Sequence, residues 1–291
     1  MPPVPTLHPL DKRVASWILV SIIVLIPLVA WLCQPIVGWV VSALLLVAFI
    51  VTLGLAITSR ASGILINEQN VFSLARLQAA LWTVIILSAY IVGVVVRIAH
   101  NDPAPLDIGV DQHLWALMGI SVTSLIGSPL ISATKYQKVP DPRETTKTAA
   151  ALVATGNTPT LQTASELSPD ATAAADKVKQ VADTMLATKL GTLYANPTIS
   201  DATFSDIFEG DEIGNAAQID LGKVQMFFFT VIIALSYCLS IGSALAAVKT
   251  DTPNPFSQFP VLSEGMLALL GISHAGFLVN KGVDHTKQLG T

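Results

Sequence analysis

The stretch Val14-ASWILVSIIVLIPLVAWLCQPIVGWVVSALLLVAFIVTLGLA-Ile57 decides the fold class, because it contains no Asp, Glu, Lys or Arg. A helix needs about 20 apolar residues to cross the hydrocarbon core of a bilayer. As one helix, this stretch would be about 66 Å long at 1.5 Å per residue, roughly twice that core. Gln34-Pro35 divides it, and proline favours the first position of a helix. The sequence therefore predicts a tight hairpin of two transmembrane helices, Val14–Cys33 and Ile36–Ile57.

The whole chain has the composition of a membrane protein. Hydrophobic residues make up 52%, charged residues 12%, and the mean hydropathy is +0.62, whereas a soluble domain carries about 25% charged residues. We therefore predict an all-α, polytopic transmembrane helical bundle with about six spans. The other four predicted spans are Leu77–Ala99, Leu114–Ala133, Val224–Ala247 and Val261–Asn280.

The positions of Lys and Arg predict the orientation, because cytoplasmic loops are enriched in both residues. With the N-terminus in the cytoplasm, only Arg97 and Lys249 lie near the outer ends of spans. Eleven cations then lie near the inner ends: Lys12, Arg13, Arg60, Arg76, Lys135, Lys138, Arg143, Lys147, Lys223, Lys281 and Lys287. Both termini are therefore expected in the cytoplasm. The expected partner is the lipid bilayer, and a net charge of -4 without a basic run argues against nucleic acid.

An internal repeat is the most informative pattern. Ser73-LARLQAALWTVIILSA-Tyr90 aligns without gaps on Asp220-LGKVQMFFFTVIIALS-Tyr237, with seven of eighteen positions identical. Leu114-WALMGI-Ser121 aligns on Met266-LALLGI-Ser273, with five of eight identical. Matches of Gln, Thr, Tyr and Gly-Ile-Ser in the same order are harder to obtain by chance than matches of apolar residues. We therefore predict two parallel hairpin repeats, related by a pseudo-two-fold axis along the membrane normal.

The chain then divides into four parts. Residues 1–60 form the N-terminal hairpin, 61–135 the first repeat, 136–219 a mostly disordered cytoplasmic insertion, and 220–291 the second repeat. Within the insertion, Pro140–Pro169 is rich in Ala, Thr, Ser and Pro, a composition that predicts disorder. Ala171–Leu190 has the apolar spacing of a short amphipathic helix, and Asp201–Asn215 is expected to be a structured juxtamembrane element.

Matched polar residues at the start of each repeat are candidate site residues. Ser73 and Asp220 are expected to cap the two helices. Arg76 and Lys223 are expected to be interface anchors, reaching lipid phosphate and water. Gln78 and Gln225 are expected to point inward, where they either hydrogen-bond across helices or line a solute path. The remaining candidates for packing or path-lining roles are Thr83, Thr230, Ser121 and Ser273.

Three further groups carry alternatives. His274 lies deep in a predicted span, where it could relay protons or be a neutral partner of a serine or a carbonyl. Asp206, Glu209, Asp211 and Glu212 form an acidic cluster, typical of a solvated loop but able in principle to bind a divalent cation. His100, Asp102, Asp111 and His113 could hold Zn²⁺, although their spacing is uninformative. No catalytic or cofactor motif occurs, so the sequence favours a protein without enzyme activity, cofactor or metal.

Three segments together resemble a group of bacterial membrane proteins built on this duplicated hairpin: Asp206-IFEGDEIGN-Ala216, Asp220-LGKVQMFFF-Thr230 and Leu262-SEGMLALLGISHAGFLVN-Lys281. The recurring cores are R-x-Q followed by W-T and, later, L-A-L-x-G-I-S. The first copy departs from this pattern after Ser121, where Val122-Thr123 follow. The resemblance implies a bacterial inner-membrane protein and supplies no mechanism.

Two functions are consistent with these patterns. The long insertion favours a non-enzymatic scaffold or adaptor that docks a cytoplasmic protein partner, with its hairpins packed as one chain or as a homo-oligomer. The matched glutamines favour a small-solute or ion channel or permease, with a path between the two repeats at Gln78 and Gln225.

Overall fold

The computed structural model describes residues 11–155, 171–249 and 252–288. Over these residues the chain is helical, without β-strands, and three short 3₁₀ helices supplement the α-helices: Gly63–Leu65, Ile199–Asp201 and Phe204–Phe208. The α-helices are α1 (Lys12–Leu32), α2 (Pro35–Thr58), α3 (Leu74–Ala99), α4 (Gln112–Ala133), α5 (Pro142–Thr155), α6 (Ala171–Thr188), α7 (Leu221–Ala246) and α8 (Glu264–Gly282).

Five of these helices, α1, α2, α3, α4 and α7, are long and apolar enough to cross a membrane. The prediction of an all-α protein with several membrane-length helices is confirmed to this extent. Helix α8 coincides with the sixth predicted span and has 19 residues, but it is not among the five. A count of six spans therefore stays a prediction.

The first two helices form the hairpin expected from their sequence. Asp11 caps α1 by accepting a hydrogen bond from the Arg13 amide. Pro35 occupies the first turn of α2, where its missing N–H leaves no hydrogen bond unmade. A Cβ added at Gly38 would lie 3.3 Å from the Cα of Ala30, so glycine lets the two helices approach closely just after the turn.

The described residues group into two compact units. We call residues 11–64, 76–123, 227–249 and 252–272 the apolar unit. We call residues 65–75, 124–155, 171–226 and 273–288 the polar unit.

The core of the apolar unit is made mainly by α3 and α7. Trp82 and Ala89 of α3 and Tyr237 and Ile241 of α7 are buried in one hydrophobic cluster. The rings of Trp82 and Tyr237 meet edge to face, with centroids 6.2 Å apart, an arrangement that aromatic pairs favour. The loop after α7 adds Phe256 and Phe259 to the same core.

The polar unit contains an ordered helical hairpin, so the predicted disorder is wrong for part of Pro140–Pro169. Helix α5 begins at Pro142. The preceding residue, Asp141, caps it by accepting a hydrogen bond from the Arg143 amide. Leu152 of α5 packs with Val181 and Met185 of α6 and with Ile213. Small Ala and Thr residues suffice on α5, because they allow close packing and Thr148 donates its hydroxyl hydrogen to the Ile213 carbonyl at 2.7 Å. Residues 156–170 lie outside the described part of the chain.

The other two predictions for the insertion are confirmed in their local structure. Helix α6 covers most of the predicted amphipathic helix Ala171–Leu190. The segment Asp201–Asn215 contains a 3₁₀ helix that begins with a capping box, in which Asp206 accepts hydrogen bonds from the amide and hydroxyl of Thr203. Local capping and the burial of Ile207 and Ile213 together order this segment.

Candidate functional site

The polar unit contains a buried network of ion pairs centred on residues 209–215. The Lys135 ammonium and the Glu212 carboxylate are 2.5 Å apart, and their side chains are 2% and 1% exposed. Lys135 also donates to the carbonyls of Lys281 and Val283, at 2.6 and 2.7 Å. An ammonium has three hydrogens, so all the donors of Lys135 are used.

The Glu212 carboxylate is as fully satisfied as its lysine. Besides Lys135, it accepts hydrogen bonds from the amides of His285 and Thr286, at 3.1 and 3.0 Å. A buried charge costs several kcal/mol unless it is paired and hydrogen-bonded. Glu212 therefore binds the residues after α8 to the loop on which it lies.

Asp211, the neighbouring carboxylate, lies between two lysines. Its oxygens are 2.7 Å from the Lys223 ammonium and 2.6 Å from that of Lys281. Burial raises the pKa of Asp211, but the two positive charges and their hydrogen bonds outweigh it and hold the pKa well below its usual range. Lys281 also lies 5.8 Å from the ring centre of Phe277, within the range of a cation–π contact.

The backbone around the two carboxylates is fixed as well. The Asp211 carbonyl accepts hydrogen bonds from the Tyr194 amide at 3.0 Å and from the Gln69 side chain at 3.3 Å. A Cβ added at Gly214 would overlap the carbonyl oxygen of His285, so only glycine permits this approach. The sequence EGDEIGN therefore combines two carboxylates that form ion pairs with a glycine at the closest approach to His285.

The acidic cluster is thus not the solvated loop that its sequence suggested. Asp206 and Glu212 are buried, and the Asp211 side chain is only 16% exposed. Asp206 accepts hydrogen bonds from the Phe72 amide and from Thr203. Burial raises the pKa of Asp206, although these hydrogen bonds oppose the shift. The structure corrects the prediction because lysines pair with Asp211 and Glu212, while backbone amides donate hydrogen bonds to Asp206 and Glu212.

No group of three or more His, Cys, Asp or Glu within the described ranges is arranged to hold a metal ion. The four candidates for Zn²⁺ between α3 and the first turn of α4 have partners within the chain, and Nδ1 of His100 lies 2.8 Å from the Val96 carbonyl oxygen. Asp102 pairs with Arg97 at 2.8 Å, and His113 lies 2.6 Å from Asp111. The pKa of Asp111 is lowered, first by the hydrogen bond from the His113 amide.

Of the two matched glutamines, the structure buries one. Gln78 donates its amide hydrogen to the Thr230 hydroxyl at 2.5 Å, and both side chains are buried. Gln225 and Thr83 are exposed, and the Thr83 hydroxyl donates to the Ala79 carbonyl of its own helix. The inward orientation is confirmed for Gln78 and wrong for Gln225, because α3 and α7 bury different faces.

The other helix candidates are buried among neutral groups. The Ser124 hydroxyl and Nδ1 of His274 are 2.5 Å apart, so His274 has the serine partner that one of the two alternatives foresaw. The hydroxyl oxygens of Ser121 and Ser273 are buried, and neither has a hydrogen-bond partner among the described residues.

Of the two expected interface anchors, Lys223 and Arg76, the structure shows a different role for Lys223. Lys223 is buried and binds the Asp211 carboxylate and the Glu209 carbonyl, so a carboxylate of the chain stands where lipid phosphate was expected. Arg76 is half-buried. Asp220 caps α7 as predicted, accepting hydrogen bonds from the amides of Gly222 and Lys223. Ser73 directly precedes α3.

Sequence reasoning missed that three of the cations counted for orientation bind the acidic cluster. Lys135, Lys223 and Lys281 each lie near the end of a predicted span, and the acidic cluster is the densest group of carboxylates in the chain. The presence of one dense acidic cluster and of lysines at the ends of several predicted helices was the signal that could have predicted these ion pairs.

Comparison of the chain with protein-family models, curated proteins and solved structures finds no match. The resemblance to bacterial membrane proteins therefore stays a prediction from the residues.

Proposed function

We propose that the chain is an integral protein of the bacterial cytoplasmic membrane that acts as a non-enzymatic scaffold, with its polar unit as the docking platform for a cytoplasmic protein partner. Five apolar helices of membrane length are compatible with the membrane part. The single observation that carries the docking part is the buried ion-pair network. It joins the loop 209–215 to Lys135 after α4, Lys223 in the first turn of α7 and Lys281 in the last turn of α8.

The network supports a platform because it is costly for a simple connection. Removing charges from water costs several kcal/mol per ion, and the gain is a specific, ordered arrangement. A segment that only linked two spans could remain solvated at no such cost. An ordered platform lowers the entropy lost when a partner binds.

The outer face of the α5/α6 hairpin is the proposed docking surface. The inner, apolar face of the hairpin packs on Ile213. On the outer face, Lys147 of α5 and Lys179 and Asp183 of α6 are exposed. Side chains of both charges allow a partner to be selected by hydrogen bonds and ion pairs, as is common at interfaces that form and dissociate.

The bounds of the helices support two parallel repeats and six spans. Helices α3 and α7 each have 26 residues, and they begin at Leu74 and Leu221, which the repeat alignment pairs. Helices α4 and α8 begin at Gln112 and Glu264, which the second alignment pairs when it is extended by two residues. Helix α8 is then the sixth span, and both termini lie in the cytoplasm.

Site-specific photo-crosslinking in cells tests the platform. A benzophenone amino acid is placed at Lys179 of the proposed surface or, as the control, at exposed Trp17 of α1. We expect a protein adduct of defined mass from position 179 and none from position 17. The proposal is contradicted if Lys147, Lys179 and Asp183 all give no protein adduct while the chain still resists alkaline extraction from the membrane.

One observation favours a solute or ion permease as a second candidate. In the apolar unit, Oε1 of Gln78, the hydroxyl of Tyr237 and Nε1 of Trp39 are buried, and none has a hydrogen-bond partner among the described residues. Buried polar atoms without protein partners are sites where water or a polar solute can bind. Flux into liposomes should then fall when Gln78 is replaced by Leu and Tyr237 by Phe, and an unchanged flux would exclude a path at these residues.

A further inference from the structure

An open groove lies beside the last turns of α7, within the apolar unit. One wall is formed by α7, with Leu239, Ser243 and Ala244, and the other by the loop segment 258–261. Its volume is about 600 Å³, within the range of about 300–1,000 Å³ that is usual for small-molecule sites. We call it the α7 groove.

The loop wall of the α7 groove is held in place from two sides. The Gly109 amide donates to the Ser257 carbonyl at 2.8 Å, and the Phe259 amide donates to the Gly109 carbonyl at 2.9 Å. The side chains of Phe256 and Phe259 are buried in the core, with their rings edge to face and their centroids 5.4 Å apart. A wall that is already ordered loses little entropy when a ligand binds.

The lining of the α7 groove is uncharged, and its polarity changes along the helix. Among the described residues, none that lines it is charged. Leu239 and Val261, which are 76% and 63% exposed, supply apolar surface. Ser243 lies one turn, about 6 Å, nearer the end of α7 than Leu239, and Gln258 lies on the opposite wall. Both polar side chains are exposed, so neutral hydrogen-bonding groups lie beside apolar surface.

A phospholipid matches this arrangement. Helix α7 is long and apolar enough to cross a membrane, and in the proposed topology it ends at the outer boundary, where acyl chains meet the polar part of the lipid. An acyl chain can cover Leu239 and Val261, while ester and phosphate oxygens accept hydrogen bonds from Ser243 and Gln258. Anionic lipids are recognised by Lys and Arg, so an uncharged lining favours a zwitterionic headgroup.

We propose that the α7 groove binds one zwitterionic phospholipid of the outer leaflet, with its ester region at Ser243 and Gln258. From Leu239 to Ala244 the helix rises about 8 Å. The groove therefore holds the glycerol region and the first carbons of one acyl chain, and the rest of the chain lies along exposed α7. This site rests on the membrane placement in the proposed function and is independent of the scaffold and permease roles.

Lipid retained through purification tests the site. The full chain is reconstituted in vesicles of phosphatidylethanolamine and phosphatidylglycerol, extracted into detergent and weighed by native mass spectrometry. We expect one retained phosphatidylethanolamine per chain. Ser243→Ala with Gln258→Met should lower the retained fraction by about 2- to 13-fold for each hydrogen bond lost. Ser16→Ala with Gln112→Met is the matched control, because it makes the same changes at exposed positions outside the groove.

Three outcomes of this measurement would overturn the site: a folded parent chain without bound lipid, equal losses from the two double variants, or preferential retention of phosphatidylglycerol. Release of the parent chain from the vesicles by alkaline extraction would contradict the membrane placement and, with it, the site. The two failures are therefore distinguishable.

Filling the groove gives a steric version of the test. Val261→Trp places a large side chain on the loop wall and should abolish lipid retention. Leu235→Trp is the control, because Leu235 is 60% exposed on α7 but does not line the groove. Equal retention by these two variants would contradict the proposal.

Photo-crosslinking in the same vesicles separates a bound lipid from the surrounding bilayer. Phosphatidylethanolamine with a diazirine near the ester end of one acyl chain should give adducts concentrated in residues 239–244 and 258–261. Leu28 and Leu32, exposed near the outer end of α1, report contact with bulk lipid at a similar depth. Equal adduct yields at the two places, or a second copy of the chain crosslinked at the groove in place of lipid, would overturn the proposal.

Discussion

The polar unit buries a network of ion pairs around Asp211 and Glu212. Between α3 and α7, the apolar unit instead buries neutral polar side chains that are only partly hydrogen-bonded, and its buried Arg97–Asp102 pair lies beyond these contacts, at the end of α3. Lys135 uses all three of its donors, and both oxygens of Glu212 accept hydrogen bonds. Gln78, in contrast, makes one hydrogen bond and leaves its carbonyl oxygen without a partner among the described residues. Losing one member of a buried ion pair leaves an uncompensated charge, but losing a neutral partner leaves only a dipole. The two units should therefore respond to substitution on different scales.

The largest effect is expected from Glu212→Gln, which leaves the Lys135 ammonium buried without a counter-charge. We expect a loss of about 3–5 kcal/mol in the stability of the polar unit, measured by amide hydrogen exchange in detergent micelles. Asp284→Asn is the matched control, because Asp284 pairs with Lys138 at the surface. The Lys138 side chain is 29% exposed and the Asp284 side chain 40%, and an exposed pair contributes about 0–1 kcal/mol. Equal losses from the two variants would contradict the importance of burial.

Acid should destabilise the polar unit through Asp211. Its pKa is lowered in the folded state, so the folded state takes up this proton less readily than the unfolded state. The contribution of Asp211 is complete above about pH 4, the usual pKa of Asp, and is lost on further acidification, with a total on the order of 2 kcal/mol. Asp211→Asn should flatten this dependence.

Hydrogen exchange of the polar unit at several pH values between 7 and 3 measures the dependence. Asp206 acts in the opposite sense, since burial raises its pKa, so each variant is compared with its parent at the same pH. If Asp211→Asn leaves the slope unchanged, the two lysines do not hold Asp211 ionised.

Gly93→Ala should destabilise the apolar unit by steric overlap. A Cβ at this position would lie 2.5 Å from Cδ1 of buried Phe256, and overpacking of this kind costs about 1–3 kcal/mol. Gly119→Ala is the control, because a Cβ there meets nothing within 4 Å. Unfolding in mixed micelles should separate the two variants, and equal stability would indicate that Phe256 can move aside.

The smallest effect is expected from Gln78→Leu. Hydrogen bonds between spanning helices contribute about 0.6 kcal/mol on average and at most about 2 kcal/mol, and the substitution also removes the unpartnered carbonyl of Gln78. A double-mutant cycle with Thr230→Val in the same micelle assay isolates the bond. Thr83→Val serves as the control, since the Thr83 hydroxyl bonds only within its helix. A coupling as large as the loss from Glu212→Gln would remove the contrast between the units.

Local patterns predicted local structure well and long-range contacts poorly. The charge-free stretch predicted the α1/α2 hairpin, and apolar spacing predicted α6, because both signals lie within about 45 residues. The pair Lys135–Glu212 spans 77 positions and the bond from Lys135 to the Lys281 carbonyl spans 146. The periodicity of a sequence carries no information about contacts over such distances. The sequence therefore predicts a solvated loop for the acidic cluster.

The repeat explains one correct and one wrong prediction about the glutamines. Identical residues predicted the same orientation for Gln78 and Gln225, and the structure buries only Gln78. Sequence identity gives the face on which a residue lies, but which face is covered depends on the neighbouring elements. Composition misled in a similar way at α5, where Ala and Thr pack on Ile213 although they are typical of disorder.

Labelling of single cysteines in intact spheroplasts most directly tests the proposed topology, in which α5 lies on the cytoplasmic side of the membrane and the loop between α3 and α4 lies on the outer side. In a chain with Cys33→Ala and Cys238→Ala, Leu106→Cys lies in the exposed loop between α3 and α4, and Lys147→Cys lies on α5. A membrane-impermeant maleimide should label position 106 in intact spheroplasts and position 147 only after lysis. Labelling of position 147 before lysis, or protection of position 106, would contradict the account.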